Sequence, residues 1–145
     1  MSLNIKVKKS DANAVLPFKN NEEDVVYDLT IIKKSDKPPS GQTILYNTCI
    51  RVIPPEGYYT TVIPRSSIYK SGYILANSEG IIDPNYRGDI HVPLIKVDPT
   101  KPDLELPFRG FQLILKKFEK SFIVEDEEAF IEQTNRGEGG FGSTG

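Results

Sequence analysis

The sequence predicts an all-β fold, a distorted jelly-roll barrel or sandwich with one short helix and a flexible glycine-rich C-terminal arm. Three observations predict it. β-Branched and aromatic residues gather in short runs such as residues 25–32 and 58–63, a pattern that is typical of strands. Glycine and proline, 11 of each among 145 residues, interrupt these runs. Strand and helix patterns do not alternate, so antiparallel sheets are favoured over a parallel α/β fold.

The strands are predicted in chain order from these runs. Ile5 and Val7 alternate with lysines, which is the period of a half-buried strand. The other predicted strands are residues 25–32, 43–53, 58–63, 73–76, 80–83, 89–97, 108–118 and 121–124. Residues 73–83 are interpreted as one hairpin with a small, polar tip. Residues 33–41 and 98–107 are predicted loops, and residues 125–128 a solvated acidic turn.

The only helix of note is predicted directly after Pro64. Ser66 is expected to be its N-cap, and Gly72 ends it after about one or two turns. Arg65, followed by the hydroxyl groups of Ser66 and Ser67 at a helix start, also has the chemistry of a local anion site. An ordinary helix cap is the alternative interpretation of these residues.

The stretch from Gly80 to Asp89 carries the main candidate for catalysis. Two β-branched residues lead into Asp83, and Pro84-Asn85 predicts a turn that places Tyr86 three residues further on. A carboxylate and an aromatic ring are therefore expected at a fixed offset. Taken alone, these ten residues are more typical of an ordinary hairpin with a solvated aspartate.

The C-terminal residues combine mobility with anion-binding chemistry. Residues 137–145 contain five glycines and one sizeable apolar side chain, Phe141, too few contacts to offset the entropy of ordering the segment. Glycine also lets backbone N–H groups approach an anion closely. Arg136 adds a forked cation, and Ser143 and Thr144 add hydroxyl donors. A low-complexity end without function is the alternative.

Composition narrows the possible functions. The length suits one domain, divided here into residues 1–134 and an arm of residues 135–145. A net charge of −2 provides no global basic field for nucleic acid. The lone Cys49 excludes an internal disulfide and is expected to be a buried, inert thiol. No apolar run suits a membrane or a secretion signal, so a cytoplasmic or nuclear protein is expected, with a viral origin left open.

Five segments, in order, resemble the motifs of the trimeric deoxyuridine triphosphatases (dUTPases). They are Tyr27-Asp28-Leu29, Pro64-Arg65-Ser66-Ser67, Gly80 to Asp89, Arg109 with Gln112-Leu113, and Arg136 to Gly145. The resemblance implies a jelly-roll homotrimer with active sites shared between chains. It also implies hydrolysis of dUTP to dUMP and pyrophosphate, which limits uracil incorporation into DNA and supplies dUMP.

The resemblance assigns roles to individual residues. Asp83 would activate the water that attacks the α-phosphorus, and the ring of Tyr86 would lie under the deoxyribose and exclude a 2′-hydroxyl. Asp28 would act near Mg²⁺ through bound water. The remaining residues would bind the substrate: Asn77, Gly80 and Ile82 the uracil, Arg65, Ser66 and Ser67 the phosphates, and Arg136, Phe141, Gly142, Ser143 and Thr144 the nucleotide from the closing arm. Gln112 would contact the phosphates or brace the site.

The sequence also departs from the family pattern. Val25-Val26 replaces the usual Ala-Gly of the first motif, and Pro107-Phe108 with Gly110-Phe111 replaces smaller and acidic residues of the fourth. The closest alternative function is a dCTP deaminase, or a bifunctional deaminase and dUTPase, but Pro93 stands where such relatives carry a proton-transferring Glu. A nucleotide-switched regulatory binding protein is the other alternative. His91 is expected to be structural.

Overall fold

The computed structural model describes residues 3–142, which form ten strands and two short 3-10 helices. The strands are β1 (Lys6–Lys9), β2 (Val26–Ile31), β3 (Lys33–Lys34), β4 (Thr43–Asn47), β5 (Ile50–Ile53), β6 (Tyr58–Pro64), β7 (Tyr73–Leu75), β8 (Gly80–Ile82), β9 (His91–Lys96) and β10 (Phe108–Lys117). The 3-10 helices are Ser66–Lys70 and Glu128–Ile131. Within the described residues, no helix has the length and hydropathy that crossing a membrane requires.

The strands form two four-stranded antiparallel sheets and one two-stranded sheet. The first sheet has the order β2-β10-β6-β8 and the second the order β3-β4-β9-β7, while β1 pairs with β5. Neither four-stranded sheet is closed on itself. The predicted all-β fold is confirmed as a distorted jelly-roll sandwich.

The two four-stranded sheets bury one apolar core between them. Its fully buried members include Leu29, Phe111 and Leu113 from the first sheet and Val92 and Leu94 from the second. Burying each such side chain contributes roughly 1.5–3 kcal/mol. Packing against this core holds the first sheet rigid. The candidate functional side chains lie at the two ends of that sheet.

The predicted strand of residues 43–53 is divided in the structure. Cys49 has a φ of 54°, so the chain turns out of β4 and enters β5 in another sheet. The Asn47 side chain accepts a hydrogen bond from the Cys49 N–H at 2.8 Å, and the Thr48 hydroxyl donates to the Ile90 carbonyl at 2.8 Å. Cys49 is buried, as expected.

The predicted hairpin of residues 73–83 is wrong. β7 pairs with β9 in the second sheet, whereas β8 pairs with β6 in the first, so residues 76–79 connect two sheets. Ser78, with a φ of 62°, makes this connection tight. The turn after β8 does not close a hairpin either, because β8 and β9 belong to different sheets.

Five smaller differences separate the predictions from the structure. Arg65, not Ser66, occupies the N-cap of the first 3-10 helix, and no side chain caps it. Residues 121–124 are exposed and do not form a strand, and a second 3-10 helix follows at Glu128–Ile131, where only an acidic turn was predicted nearby. Lys33–Lys34 forms a two-residue strand inside a predicted loop, and β1 is exposed rather than half-buried.

Candidate active site

A cavity of about 290 Å³ gathers five of the predicted site residues. Asn77, Gly80, Ile82, Asp83 and Tyr86 all line it. They come from β8 and from the turns on either side of it, so one short stretch of chain builds most of the wall. Lys37, Asp89 and His91 complete the polar part of the lining and were not predicted as site residues.

Asp83 lies at the end of β8, where the sequence predicted a carboxylate. The turn closes as Pro84-Asn85 indicated, because the Tyr86 N–H donates to the Asp83 carbonyl at 3.0 Å. The Asp83 side chain is exposed and forms no hydrogen bond or ion pair within residues 3–142. An exposed, unpaired carboxylate on a rigid strand end is suited to accept a proton from water.

Tyr86 is held across the backbone of Gly88. Its hydroxyl donates to the Asp89 carbonyl at 2.7 Å, and a Cβ added at Gly88 would lie only 2.4 Å from the Tyr86 hydroxyl oxygen. Glycine is therefore required at position 88 for the ring to occupy this place. The ring forms one wall of the cavity and remains 44% exposed.

Asp89 anchors the loop that carries Tyr86. Arg51 Nε donates to one carboxylate oxygen at 2.8 Å, and Asn47 Nδ2 donates to the other at 3.0 Å. Desolvation by burial raises the pKa of Asp89, but hydrogen bonds from Arg51, Asn47 and Ser10, with the charge of Arg51, outweigh it and lower the pKa to about 2. No sequence pattern indicates this role, because Arg51 lies 38 residues away.

Asn77 lies against Gly80 at the mouth of the cavity. A Cβ at Gly80 would be 3.4 Å from Asn77 Nδ2 and 3.6 Å from the Val62 Cβ. The amide thus packs on the glycine backbone, so the cavity offers one side-chain amide beside main-chain polar groups. Such a pair of donors and acceptors is suited to a planar amide edge such as that of uracil.

A second cluster surrounds Asp28 at the opposite end of the first sheet. Its carboxylate lies 3.8 Å from Arg65 Nε and 3.6 Å from Arg109 Nε, and Gln112 Nε2 donates to it at 3.4 Å. Arg65 also donates to the Arg109 carbonyl at 3.0 Å. The register explains this meeting, because Asp28 pairs with Gln112 across β2 and β10. Ser66, next to Arg65, and Ser67 are exposed.

The structure does not bring the two groups of residues together within one chain. Ile82 pairs with Thr60, so Asp83 continues beside Tyr59 at the start of β6, whereas Arg65 follows its last residue. Six residues of extended chain separate these positions, about 20 Å at ~3.3 Å per residue. Asp83 and Arg65 of one chain therefore lie too far apart to contact the same phosphate group.

The arm makes contacts within itself in this structure. Arg136 Nε donates to the Gly139 carbonyl at 2.7 Å, and the Gly137 N–H donates to the Thr134 hydroxyl at 3.1 Å. Phe141 is fully exposed, and neither it nor Gly142 lines the cavity. Ser143 and Thr144 lie outside the described residues.

The donor set around Asp28 fits a water-mediated Mg²⁺ role. Within residues 3–142 no three His, Cys, Asp or Glu side chains are grouped so that they could hold a metal ion. Asp28 supplies one carboxylate between two arginines. Mg²⁺ usually keeps several waters and binds through one or two carboxylates plus phosphates, so a single carboxylate is compatible with such a role.

The departures from the motif pattern are accommodated locally. A Cβ at Gly110 would lie 2.0 Å from Phe108 Cε2, so the large Phe108 ring occupies the space that Gly110 leaves open. Phe108 also meets Phe111 edge to face at 6.1 Å. Val25 is 76% exposed and precedes β2. With these residues in place, Gln112 Nε2 lies 3.4 Å from the Asp28 carboxylate.

Fold and site together define an antiparallel jelly-roll sandwich with an open polar cavity formed by an Asp-Pro-x-Tyr turn. The family model described as dUTPase matches residues 12–145. The chain belongs to the dUTPase family.

Individual relatives agree with this membership. The chain is 36% identical over 150 residues to the deoxyuridine 5′-triphosphate nucleotidohydrolase of Mycobacterium sp. (strain JLS), covering 100% of this chain and 97% of that protein. A mutant dUTPase of Staphylococcus bacteriophage 80alpha with dUpNHpp has the same fold, with a TM-score of 0.79, 23% identity and 98% coverage of both chains. A mutant dUTPase from phage phi11 of S. aureus, described with a structural Mg(II) ion, gives a TM-score of 0.69 at 17% identity, covering 86% of this chain and 97% of that one.

Proposed function

We propose that this chain is a dUTP diphosphatase, which hydrolyses dUTP to dUMP and pyrophosphate. Membership of the dUTPase family supports this activity. The observation that carries it in the structure is the meeting of Asn77, Gly80, Ile82, Asp83 and Tyr86 around one cavity. The Asn77 amide is suited to bind uracil, the Asp83 carboxylate to activate the attacking water, and the Tyr86 ring to pack against deoxyribose.

Asp83 orients and deprotonates the attacking water in this proposal. Its carboxylate is exposed, unpaired within the described chain and fixed by the turn after β8. Attack on the α-phosphorus requires little covalent chemistry from the protein, since placement and charge neutralisation supply most of the rate. A base in this position typically contributes about 10²–10⁴-fold.

The Asp28 cluster holds the phosphate chain. Arg65 and Arg109 face the Asp28 carboxylate, and an incoming triphosphate offers both arginines stronger anionic partners. Asp28, released from them, would hold Mg²⁺ through water, and the bound metal would neutralise phosphate charge. Ser66, Ser67 and Gln112 add neutral donors beside the arginines.

The separation of about 20 Å between Asp83 and Arg65 supports sites that are shared between chains. A second copy can bring its Arg65 to the cavity of the first, which one chain alone does not achieve. We assign the assembly as a homotrimer. The arm then closes over the nucleotide through Arg136, Phe141, Gly142, Ser143 and Thr144, with Phe141 as the stacking ring.

Deamination of dCTP is not favoured. Pro93, in place of a proton-transferring Glu, lies in β9 opposite Leu45, and its carbonyl accepts the Ala76 N–H at 2.9 Å. The backbone at this position is paired within the sheet, and the proline side chain has no group that can transfer a proton.

Pyrophosphate release from dUTP, UTP and the four standard deoxynucleotides tests the activity. We expect release from dUTP alone, a loss of about 10²–10⁴-fold in Asp83→Asn, and near-normal rates in Asp24→Asn, an exposed carboxylate outside both clusters. Undiminished hydrolysis by Asp83→Asn would remove Asp83 as the base.

Mixing variant chains tests the shared site. Asp83→Asn and a chain lacking residues 135–145 should each be inactive alone, and refolding them together should restore part of the activity. Mixtures that stay as inactive as either variant alone would show that each chain builds its own site.

A further inference from the structure

The cavity lined by Asp83 and Tyr86 is called the nucleotide cavity below. A second cavity, of about 280 Å³, lies on the other side of Asp89 from it. Four cationic side chains line it, Lys6, Lys8, Arg51 and Arg87, together with Val7, Val52 and Ile53. No carboxylate is among these lining residues of the described chain. We call it the basic cavity. The proposed hydrolysis of dUTP does not use it.

The strand register concentrates the positive charge. Lys8 lies directly opposite Arg51 in the β1-β5 pair, and Lys6, two residues earlier, lies opposite Ile53 on the same face. Like charges directly opposite each other destabilise a strand pair. Lys6 and Lys8 have no ion-pair partner within residues 3–142, so Asp89, which pairs with Arg51, offsets only one of the opposed charges.

Arg51 and Arg87 connect the basic cavity to the loop of Tyr86. The Arg51 guanidinium reaches Asp89 at 2.8 Å, and Asp89 lines the nucleotide cavity, so this ion pair separates the two cavities. Arg87 donates to the carbonyls of Pro84 at 2.6 Å and Tyr86 at 3.1 Å. Both of those acceptors are neutral, so the charge of Arg87 stays available for an anion.

We propose that the basic cavity binds a small inorganic phosphate anion of the pyrophosphate class. Four cations against the one carboxylate of Asp89 favour a multiply charged anion over a monoanion. The cavity is too small for a nucleic acid strand, and it offers no aromatic ring or amide to recognise a base. Guanidinium forks suit phosphate oxygens, and the two lysines add mobile point charges.

Binding of sodium pyrophosphate tests the site without any nucleotide. The titration is followed by amide ¹H–¹⁵N correlation spectra in EDTA for wild type, Lys6→Gln/Lys8→Gln and Lys9→Gln. Lys9 is the matched control, because it lies on the same exposed strand opposite Ile50 and does not line the basic cavity. Sodium sulfate is titrated in parallel as an anion of lower charge.

We expect shifts in residues 6–8, 51–53 and 87 of the wild type. Affinity should fall about tenfold in the double variant, since two exposed charge contacts are lost, and should change less than about twofold in Lys9→Gln. Equal affinity in the double variant, shifts confined to the Asp28 cluster, or sulfate binding as tightly as pyrophosphate would each overturn the proposal. Hydrolysis of dUTP by the same variants is measured separately, so a failed dUTPase assay leaves the binding result interpretable.

Discussion

Replacing Gly88 by alanine should weaken ribose discrimination, because it displaces the ring of Tyr86. The new Cβ would lie 2.4 Å from the hydroxyl oxygen of Tyr86, 2.6 Å from its Cζ and 3.1 Å from its Cε1. The first two distances are shorter than real Cβ contacts allow. Tyr86 is 44% exposed, so its ring can swing into solvent while the backbone stays in place. Its hydrogen bond of 2.7 Å to the Asp89 carbonyl would then be lost.

The magnitudes follow from these contacts. Losing one neutral hydrogen bond and relieving the overlap by a side-chain movement should lower the free energy of unfolding by about 1–2 kcal/mol. The ring is the proposed barrier to a 2′-hydroxyl, and leaving a hydroxyl buried without a partner costs about 1–3 kcal/mol. Removing that barrier should therefore reduce the preference for dUTP over UTP by about ten- to a hundredfold.

The assay is kcat/KM for dUTP and UTP in wild type, Gly88→Ala and Tyr86→Phe, with urea unfolding of each. Tyr86→Phe is the control, because it removes the hydrogen bond to the Asp89 carbonyl and keeps the ring over Gly88. Its nucleotide preference should stay close to that of wild type. A Gly88→Ala protein that discriminates as well as wild type would refute the assignment of the Tyr86 ring as the barrier.

Three further predictions follow from other contacts. The pKa of Asp89 is lowered from 3.8 to about 2, so its ion pair with Arg51 stabilises the fold above pH 3.8 and is lost as the pH falls towards 2. Arg51→Gln should reduce this acid-induced loss of stability by up to about 2 kcal/mol. Urea midpoints that change with pH identically in wild type and Arg51→Gln would contradict this prediction. Asp28→Asn frees Arg65 and Arg109, so calorimetry in EDTA should show tighter dUTP binding, while hydrolysis should depend less on Mg²⁺. The Thr60 hydroxyl is buried without a partner in the described chain, so Thr60→Val should raise the melting temperature, whereas Thr48→Val, which loses two hydrogen bonds, should lower it.

Strands could be predicted from the sequence where the β-branched runs were long. β2, β6 and β10 end within a residue of the predicted ranges. Their assignment to sheets could not be predicted from the runs alone, because a three-residue strand such as β7 or β8 can pair with either neighbour. The tight turn at Ser78, a non-glycine residue with positive φ, sends β8 to the first sheet, and its residue type gives little sign of this.

The same limit applies to the candidate site. Asn77, Gly80, Ile82, Asp83 and Tyr86 lie within ten residues, so a local motif was enough to predict that they meet. Asp89 lies in the same motif, but its function depends on Arg51 and Asn47, which only the sheet register brings near. Lys37 enters the cavity from a loop with no periodic pattern. Contacts between distant strands depend on how the sheets pack, and this packing cannot be predicted from local sequence patterns.

The strand pairing of the first sheet bears on how Asp83 and Arg65 could act on the same nucleotide. One chain could do so only by bending β6 away from β10, to which seven of its residues are paired. The net cost is about 0.5–1.5 kcal/mol for each hydrogen bond broken, before the loss of buried Phe111 and Leu113 is added. That sum approaches the whole stability of a typical domain, roughly 5–15 kcal/mol. Bringing Arg65 from a second chain would break none of these contacts, which supports the proposed sharing of sites between chains over a hinge within the sheet.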